Sequence, residues 1–364
     1  MCDDYRAARE LDLIEQRADK EAGRLIKSPL RVLWASQGLI EKKFDCIQDW
    51  QDVTDPSITV QGRRVTGTHY IPEENADEVV RSSMEINEAL PRYKTLPPTP
   101  VLPEAVSSGT APINNVKLWY ALYGPALTCG RTPVVFLHGG KISSRWFAHQ
   151  INHIASKGHP VIAIDTRAHG RSSDDPSVDL SYDLFADDAV ALLDHLDVGA
   201  ANWVGWSDGA NTCLSLAMRH GSRVKQIFAF GPNYQPDQAI PVEPGQIPFL
   251  SELMSRIKDD YETISPTPDR FEDFMAKGDK MQAIEPAWSE NDFSKIAPLP
   301  QQPDGKQAIW IVTGDSEELI QHQVAPEIRD MISGSRLVVL PDVSHFAPIQ
   351  DAETFNANLD EWLS

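Results

Sequence analysis

Asn202-Trp-Val-Gly205-Trp-Ser207-Asp-Gly209-Ala-Asn211 joins two kinds of sequence around a G-x-S-x-G pentapeptide. Before it, Ala201-Asn-Trp-Val204 is short and apolar, as a buried strand is. After it, Ala210 to His220 places Leu214, Leu216, Ala217 and Met218 at helical spacing. Strand, sharp turn and helix are the context this pentapeptide needs. So tight a turn requires small residues two before and two after the serine, hence Gly205 and Gly209. It would hold the Ser207 hydroxyl up at the sheet edge, above the free N–H groups of a helix N-terminus.

Outward from this turn, strands and helices alternate. Val116–Tyr123 alternates like an early antiparallel strand, and Thr132–Leu137 is a continuous apolar run suited to a buried parallel one. A helix carrying Trp146, Phe147, Ile151 and Ile154 follows, then the strand Pro160–Asp165 and an amphipathic helix from Tyr182 to Leu196. Beyond the pentapeptide helix come strands at Val224–Phe230, Ala308–Thr313 and Arg336–Leu340, then a closing helix from Ala352 to Leu363. This order predicts an α/β chain with a doubly wound, mostly parallel sheet. Residues 234 to about 304 break the pattern with prolines, short helices and aromatics, and read as a helical cap. Phe249, Tyr261, Phe271, Phe274, Trp288 and Phe293 there either line an apolar pocket or form the cap's own core.

A serine hydroxyl is a weak nucleophile and needs an adjacent base held by a carboxylate. In such a fold these follow in the order nucleophile, acid, histidine. After Ser207, the loop Gly314-Asp315-Ser-Glu317-Glu318 offers the acid and Pro341-Asp-Val-Ser-His345-Phe offers the base. An oxyanion needs two preorganised N–H donors. Asp208, next to the serine, offers one. Gly140, in His138-Gly139-Gly140, offers the other. His169, in the loop after Asp165, reads as structural. No metal is expected, because no His/carboxylate set has ligand spacing, and no dinucleotide cofactor, because no G-x-G-x-x-G follows a strand.

HGG, D-x-R-x-H-G-R-S, G-W-S-D-G, G-D-x-[DE] and S-H-F together resemble the esterase, lactonase and haloperoxidase-like branch of the α/β-hydrolase superfamily, over 113–364. The resemblance implies the α/β-hydrolase fold and a cofactor-independent serine hydrolase cleaving an ester, lactone or thioester through an acyl-enzyme. Its acid position falls on Glu317, one methylene longer than the usual aspartate, with Asp315 as the alternative. C–C bond hydrolysis with the same triad, and a non-catalytic binder on the same fold, are the competing readings. A small, largely apolar acyl substrate is the expected partner.

Residues 1–95 form a partial α/β segment: a charged helix from Tyr5 to Ile26, strands at Leu30–Trp34 and Ile58–Val65, a helix at Glu41–Trp50 and another through Ile86. The strings DYRA (4–7), RADKEAGRLIKSPLRVLWASQGLIEKKFD (17–45) and THYIPEENADEVV (68–80) resemble the C-terminal part of haloacetate dehalogenases. That resemblance implies a water-activating role for His69. The family's nucleophilic aspartate has no counterpart here, so the segment is expected to be truncated and non-catalytic. Residues 96–112, rich in Pro and then Ser and Gly, read as a linker.

The 364 residues are 41% apolar and carry a formal net charge of -20, which disfavours nucleic acid or an anionic membrane as partner. The charged N-terminus lacks a signal-peptide core and no apolar run approaches about eighteen residues. Cys2, Cys46, Cys129 and Cys213 are scattered, with no C-x-x-C. A cytoplasmic protein with free thiols is expected. Oligomeric state is not legible.

Overall fold

The computed structural model describes residues 26, 30–37, 45–54, 60–66, 75–77, 91–242, 245–296 and 308–364. The chain divides into two units, Met1–Leu90 and Pro91–Ser364. In the first, β1 (Arg31–Ala35) and β2 (Gln61–Val65) pair in parallel, joined through α1 (Cys46–Gln51). The Asp45 carboxylate caps α1 by accepting from Gln48 N at 3.1 Å. The expected helix over Tyr5–Ile26 lies outside the described residues except for Ile26. So does His69 and, apart from Ala76 and Asp77, the helix expected to run to Ile86.

The second unit is built on one eight-stranded sheet among the described residues. Its elements are β3 (Ser107–Ile113), β4 (Val116–Tyr123), β5 (Val134–Leu137), α2 (Ala148–Ser156), β6 (Val161–Asp165), α3 (Tyr182–His195) and β7 (Ala201–Trp206). Then follow α4 (Asp208–Arg219), β8 (Val224–Phe230), α5 (Leu250–Ile264), α6 (Phe271–Gln282), β9 (Ile309–Gly314), α7 (Val324–Met331), β10 (Arg336–Leu340) and α8 (Ala352–Leu363). The strand order is β10-β9-β8-β7-β5-β6-β4-β3. The first six run parallel, β4 is antiparallel to β6, and β3 is antiparallel to β4. The fold is therefore α/β, with a mostly parallel sheet as the sequence predicts.

Strands β5, β6, β7 and β9 are buried at every residue, as strands covered on both faces must be. Alternate side chains feed opposite layers. Phe136, Val204, Phe228 and Trp310 join the layer with Ile151, Phe355 and Trp362. Val135, Leu137, Trp203 and Ile227 join the layer with Leu192, Leu214 and Ile328. After β5 the chain adds β6 on one side and then returns to place β7 on the other. The carboxyl ends of β5 and β7 thus flank a topological switch point, where open α/β sheets form their ligand crevices.

The segment read as a linker is corrected at its end. Residues 107–112 belong to β3, in register with β4 from Ser107↔Leu122 to Ile113↔Val116. Asn114 and Asn115 close the hairpin with φ of 44° and 66°, the two-residue loop whose twist suits paired strands. Pro112 is tolerated because β3 is an edge strand. Residues 92–97 are also tied into the second unit: Thr95 O accepts from Gln350 Nε2 at 3.0 Å, and Leu96 O and Pro97 O accept from Arg256 Nη1 at 3.1 and 3.0 Å.

One buried ion pair ties this hairpin to the sheet's far layer. Arg167 donates to both Asp188 oxygens at 2.7 and 2.8 Å and to Asn114 O at 3.1 Å, while Asn114 Nδ2 donates to Asp188 at 2.8 Å. Their side chains are 2% and 3% exposed. Removing one partner strands a buried charge, which costs about 3–5 kcal/mol, whereas replacing both by apolar residues is often neutral. Urea unfolding is therefore expected to show a loss of that size in Asp188→Ala and a distinctly smaller one in the Arg167→Met/Asp188→Leu double variant.

Candidate active site

The pentapeptide turn is sterically closed. A Cβ on Gly209 would lie 1.9 Å from Leu137 O, and one on Gly205 would lie 2.3 Å from Gly209 O. No side chain fits either place. Ser207 sits between β7 and α4 at φ 55°, ψ -117°, a conformation non-glycine residues avoid. Its N–H donates to Phe230 O at 2.8 Å and its carbonyl accepts from Asn211 N at 2.9 Å. Every other residue from 201 to 210 is buried, and Ser207 alone is partly exposed.

The loop after β5 runs beside it. A Cβ on Gly139 would be 3.4 Å from Ser207 Cβ, and one on Gly140 would collide with Asp208 Oδ2 at 2.3 Å. His138 is a brace: its Nδ1 hydrogen-bonds Gly139 O at 2.7 Å and its Nε2 accepts from Thr166 N at 3.0 Å. Burial lowers its pKa, so it stays neutral. Asp165, fully buried, accepts from Ser144 N and Arg171 Nε at 2.9 and 2.7 Å. Burial pushes its carboxyl up, but the Arg171 charge and these hydrogen bonds hold it below the usual value. His169 Nδ1 bonds Arg167 O at 2.9 Å, and burial lowers its pKa to about 4. It packs edge-on to Phe274.

Asp208 opens α4, so its N–H has no intrahelical acceptor. Its carboxylate accepts from Tyr182 OH at 2.8 Å and from Gln282 Nε2, at the end of α6, at 3.0 Å.

The loops after β9 and β10 bring Glu317 to His345. His345 Nδ1 lies 2.8 Å from Glu317 Oε1, with both side chains almost wholly buried. The same oxygen accepts from Leu319 N and Ile320 N at 3.0 and 3.2 Å, which fixes the carboxylate. Asp315 is exposed and accepts from Ser316 Oγ instead. Burial would lower the His345 pKa, but the Glu317 charge and hydrogen bond, followed by Glu318 and Asp208, raise it above the ordinary imidazole value. Gly231, at φ 65°, allows this placement, since its Cβ would stand 2.8 Å from His345 Cε1.

Glu318 is the residue that sequence reasoning passed over. Its Oε2 accepts from His345 N at 2.9 Å. The opposite end of the same residue is held by the pentapeptide strand, where Trp206 Nε1 donates to His345 O at 2.8 Å. No motif separates Glu318 from the other acids of its loop, so the only signal was its adjacency to Glu317.

Ser207 and His345 line one cavity of about 250 Å³ with Gly139, Gly140 and Gln282. Two larger clefts, of about 610 and 440 Å³, include neither residue. The cavity's apolar wall includes Leu250, Leu253, Met254 and Ile257, one face of α5 at i, i+3, i+4, i+7, with Trp206, Ile142, Ile247, Met275 and Phe346 among its other members. None of the six cap aromatics lines it. Phe249, Tyr261, Phe271 and Phe274 belong to the packed core, with Tyr261 and Phe274 stacked at 4.6 Å. Among the described residues no group of three His, Cys, Asp or Glu side chains could hold a metal ion, and no helix is long and apolar enough to cross a membrane.

Residues 132–352, more than half of the chain, match the family model described as alpha/beta hydrolase fold. The chain belongs to the alpha/beta hydrolase family. This hydrolase is 26% identical over 277 residues to serine hydrolase BPHL of Mus musculus, covering 71% of this chain and 87% of the relative. It is 26% identical over 225 residues to the 2-hydroxymuconate semialdehyde hydrolase of Pseudomonas sp. (strain CF600), covering 57% and 78%. The solved structure of Est816, described as an N-acyl homoserine lactone degrading enzyme, superposes with a TM-score of 0.55 at 24% identity, covering 70% of this chain and 100% of that one. That last likeness is one of fold.

Removing an anion beside an imidazolium lowers the imidazole pKa. In an NMR titration, Glu317→Gln is expected to lower the His345 pKa, because burial is then less opposed. Asp315→Asn is expected to leave it unmoved.

Proposed function

We propose that this alpha/beta hydrolase is a cofactor-independent serine hydrolase that cleaves an ester, lactone or thioester of a small, largely apolar acyl group through an acyl-enzyme. The observation that carries the reading is the buried 2.8 Å contact between His345 Nδ1 and Glu317, on a histidine that shares its cavity with Ser207. Ser207 Oγ attacks the carbonyl carbon and its proton passes to His345. The carbonyl oxygen becomes an oxyanion held by the Gly140 and Asp208 N–H groups. As the tetrahedral centre collapses, His345 returns the proton to the departing oxygen or sulfur, leaving the acyl group on Ser207. A water then gives a proton to His345 and attacks the acyl carbon, and as that centre collapses His345 returns the proton to Ser207 Oγ, releasing the acid and free serine. Glu317 keeps the imidazole in the required tautomer and stabilises the imidazolium.

The test is a fluorophosphonate probe followed by peptide mapping. One adduct is expected, on Ser207 in the wild type, absent from Ser207→Ala and His345→Ala. A folded wild type that neither takes up a small fluorophosphonate nor hydrolyses any ester would sink the reading in favour of a binder.

The aliphatic face of α5 leads to an expectation about substrate. Ile257→Trp shortens the cavity, so kcat/KM is expected to fall about 10-fold or more for each acyl methylene displaced. A p-nitrophenyl ester series, with acetate as the arm that stays nearly unchanged, measures it.

A further inference from the structure

Glu317 and Glu318 are consecutive, and both reach the same residue of another loop. Glu317 takes the His345 ring and Glu318 takes its main-chain N–H. A buried carboxylate and a partly buried one side by side repel each other. Burial first, and then the Glu317 charge, push the Glu318 carboxyl above its usual pKa. One oxygen of each, Glu317 Oε2 and Glu318 Oε1, is buried and accepts no hydrogen bond from the described residues. A neutral side chain or a water would satisfy the His345 N–H at less cost, so the fold alone does not account for a second acid here.

We infer that Glu318 is a positioning residue for the base, clamping the His345 main chain and, with Glu317, surrounding the histidine with negative charge from two sides. The clamp has two jaws, Glu318 on the N–H and Trp206 on the carbonyl, so the His345 main chain is held at both ends while Glu317 holds the ring. When His345 takes the Ser207 proton, the new positive charge meets both carboxylates. The charged and titratable groups facing Glu318 are Glu317 and His345, and those facing His345 are Glu317, Glu318 and Asp208. This rests on the reading of His345 as the base.

Glu318→Gln keeps the size of the side chain and an acceptor for His345 N while removing the charge. The imidazolium loses one stabilising anion. The ascending limb of kcat/KM against pH is therefore expected to move down by roughly half a unit, and the plateau kcat to fall about threefold, with KM unchanged. Glu318→Leu, which removes the acceptor as well, is expected to fall further, and Glu318→Asp to keep more of the wild-type profile than either. An NMR titration of His345 in Ser207→Ala and Ser207→Ala/Glu318→Gln proteins reads the same downward shift without needing turnover. A Glu318→Gln profile and titration that overlay the parent, with only melting temperature lowered in Glu318→Leu, would falsify the proposal and leave Glu318 a structural hydrogen-bond acceptor. His345→Ala separates the two readings. If it still hydrolyses the ester, the triad itself is wrong; if it is inactive while Glu318→Gln is unmoved, only the role of Glu318 falls.

Discussion

Three backbones come together at one point, and every part of the candidate site is placed by that approach. The carbonyl of Leu137 at the end of β5, the turn at Ser207 and the first turn of α4 are so close that neither Gly205 nor Gly209 has room for a Cβ. The contact forces Ser207 into a sparsely populated conformation, which costs about 1–3 kcal/mol when the surroundings impose it. Those surroundings are β7, buried along its whole length, and α4, buried from Asp208 through Ala217. The same approach puts the Gly139–Gly140 loop against Ser207 and sends the Trp206 indole to the carbonyl of His345. One tight turn thus orders the hydroxyl, two candidate donors and the histidine loop.

Charge is handled differently at this point than elsewhere in the second unit. Asp165 and Asp188 are as deeply buried as any acid in it, and each is answered by a guanidinium, from Arg171 and Arg167 respectively. Those pairs fasten loops: Asp165 gathers Ser144 and Arg171, and Arg167 gathers Asn114 and Asp188. Glu317 and Glu318 instead face one histidine, at its ring and its main-chain N–H respectively, and among the described residues no group hydrogen-bonds the second oxygen of either. An arrangement short of positive charge at rest becomes favourable when a proton reaches the ring. That arrangement suits the base role proposed for His345.

Most of the fold was legible because its strands are continuous apolar runs, and burial on both faces leaves such runs few alternatives. The turn at Ser207 was legible because close backbone approach demands glycine at fixed offsets. Strand β3 was not. Ser107-Ser-Gly-Thr-Ala-Pro-Ile113 has poor strand propensity, and its pairing comes from β4, a tertiary effect that composition misreads as linker. The one local signal was Asn114-Asn115, placed as a two-residue hairpin loop. The cap presented a similar difficulty. Its aromatics drew attention to themselves, yet Phe249, Tyr261, Phe271 and Phe274 pack into the main core and Phe293 into the opposite layer, while the cap's contribution to the cavity wall includes an aliphatic face of α5.

The candidate acid shows where sequence reading reaches its limit. Asp315, Glu317 and Glu318 lie within four residues, and a motif offset favours Glu317, but only the relative placement of two loops separates them. Gly314 sets that placement, because a Cβ there would meet Val343 O at 2.3 Å, so β9 ends pressed against the histidine loop. From that contact the loop turns Asp315 into solvent, Glu317 onto the His345 ring and Glu318 onto its main chain. Three acids of similar chemistry thus receive three environments from one close backbone contact. The difference between them is positional.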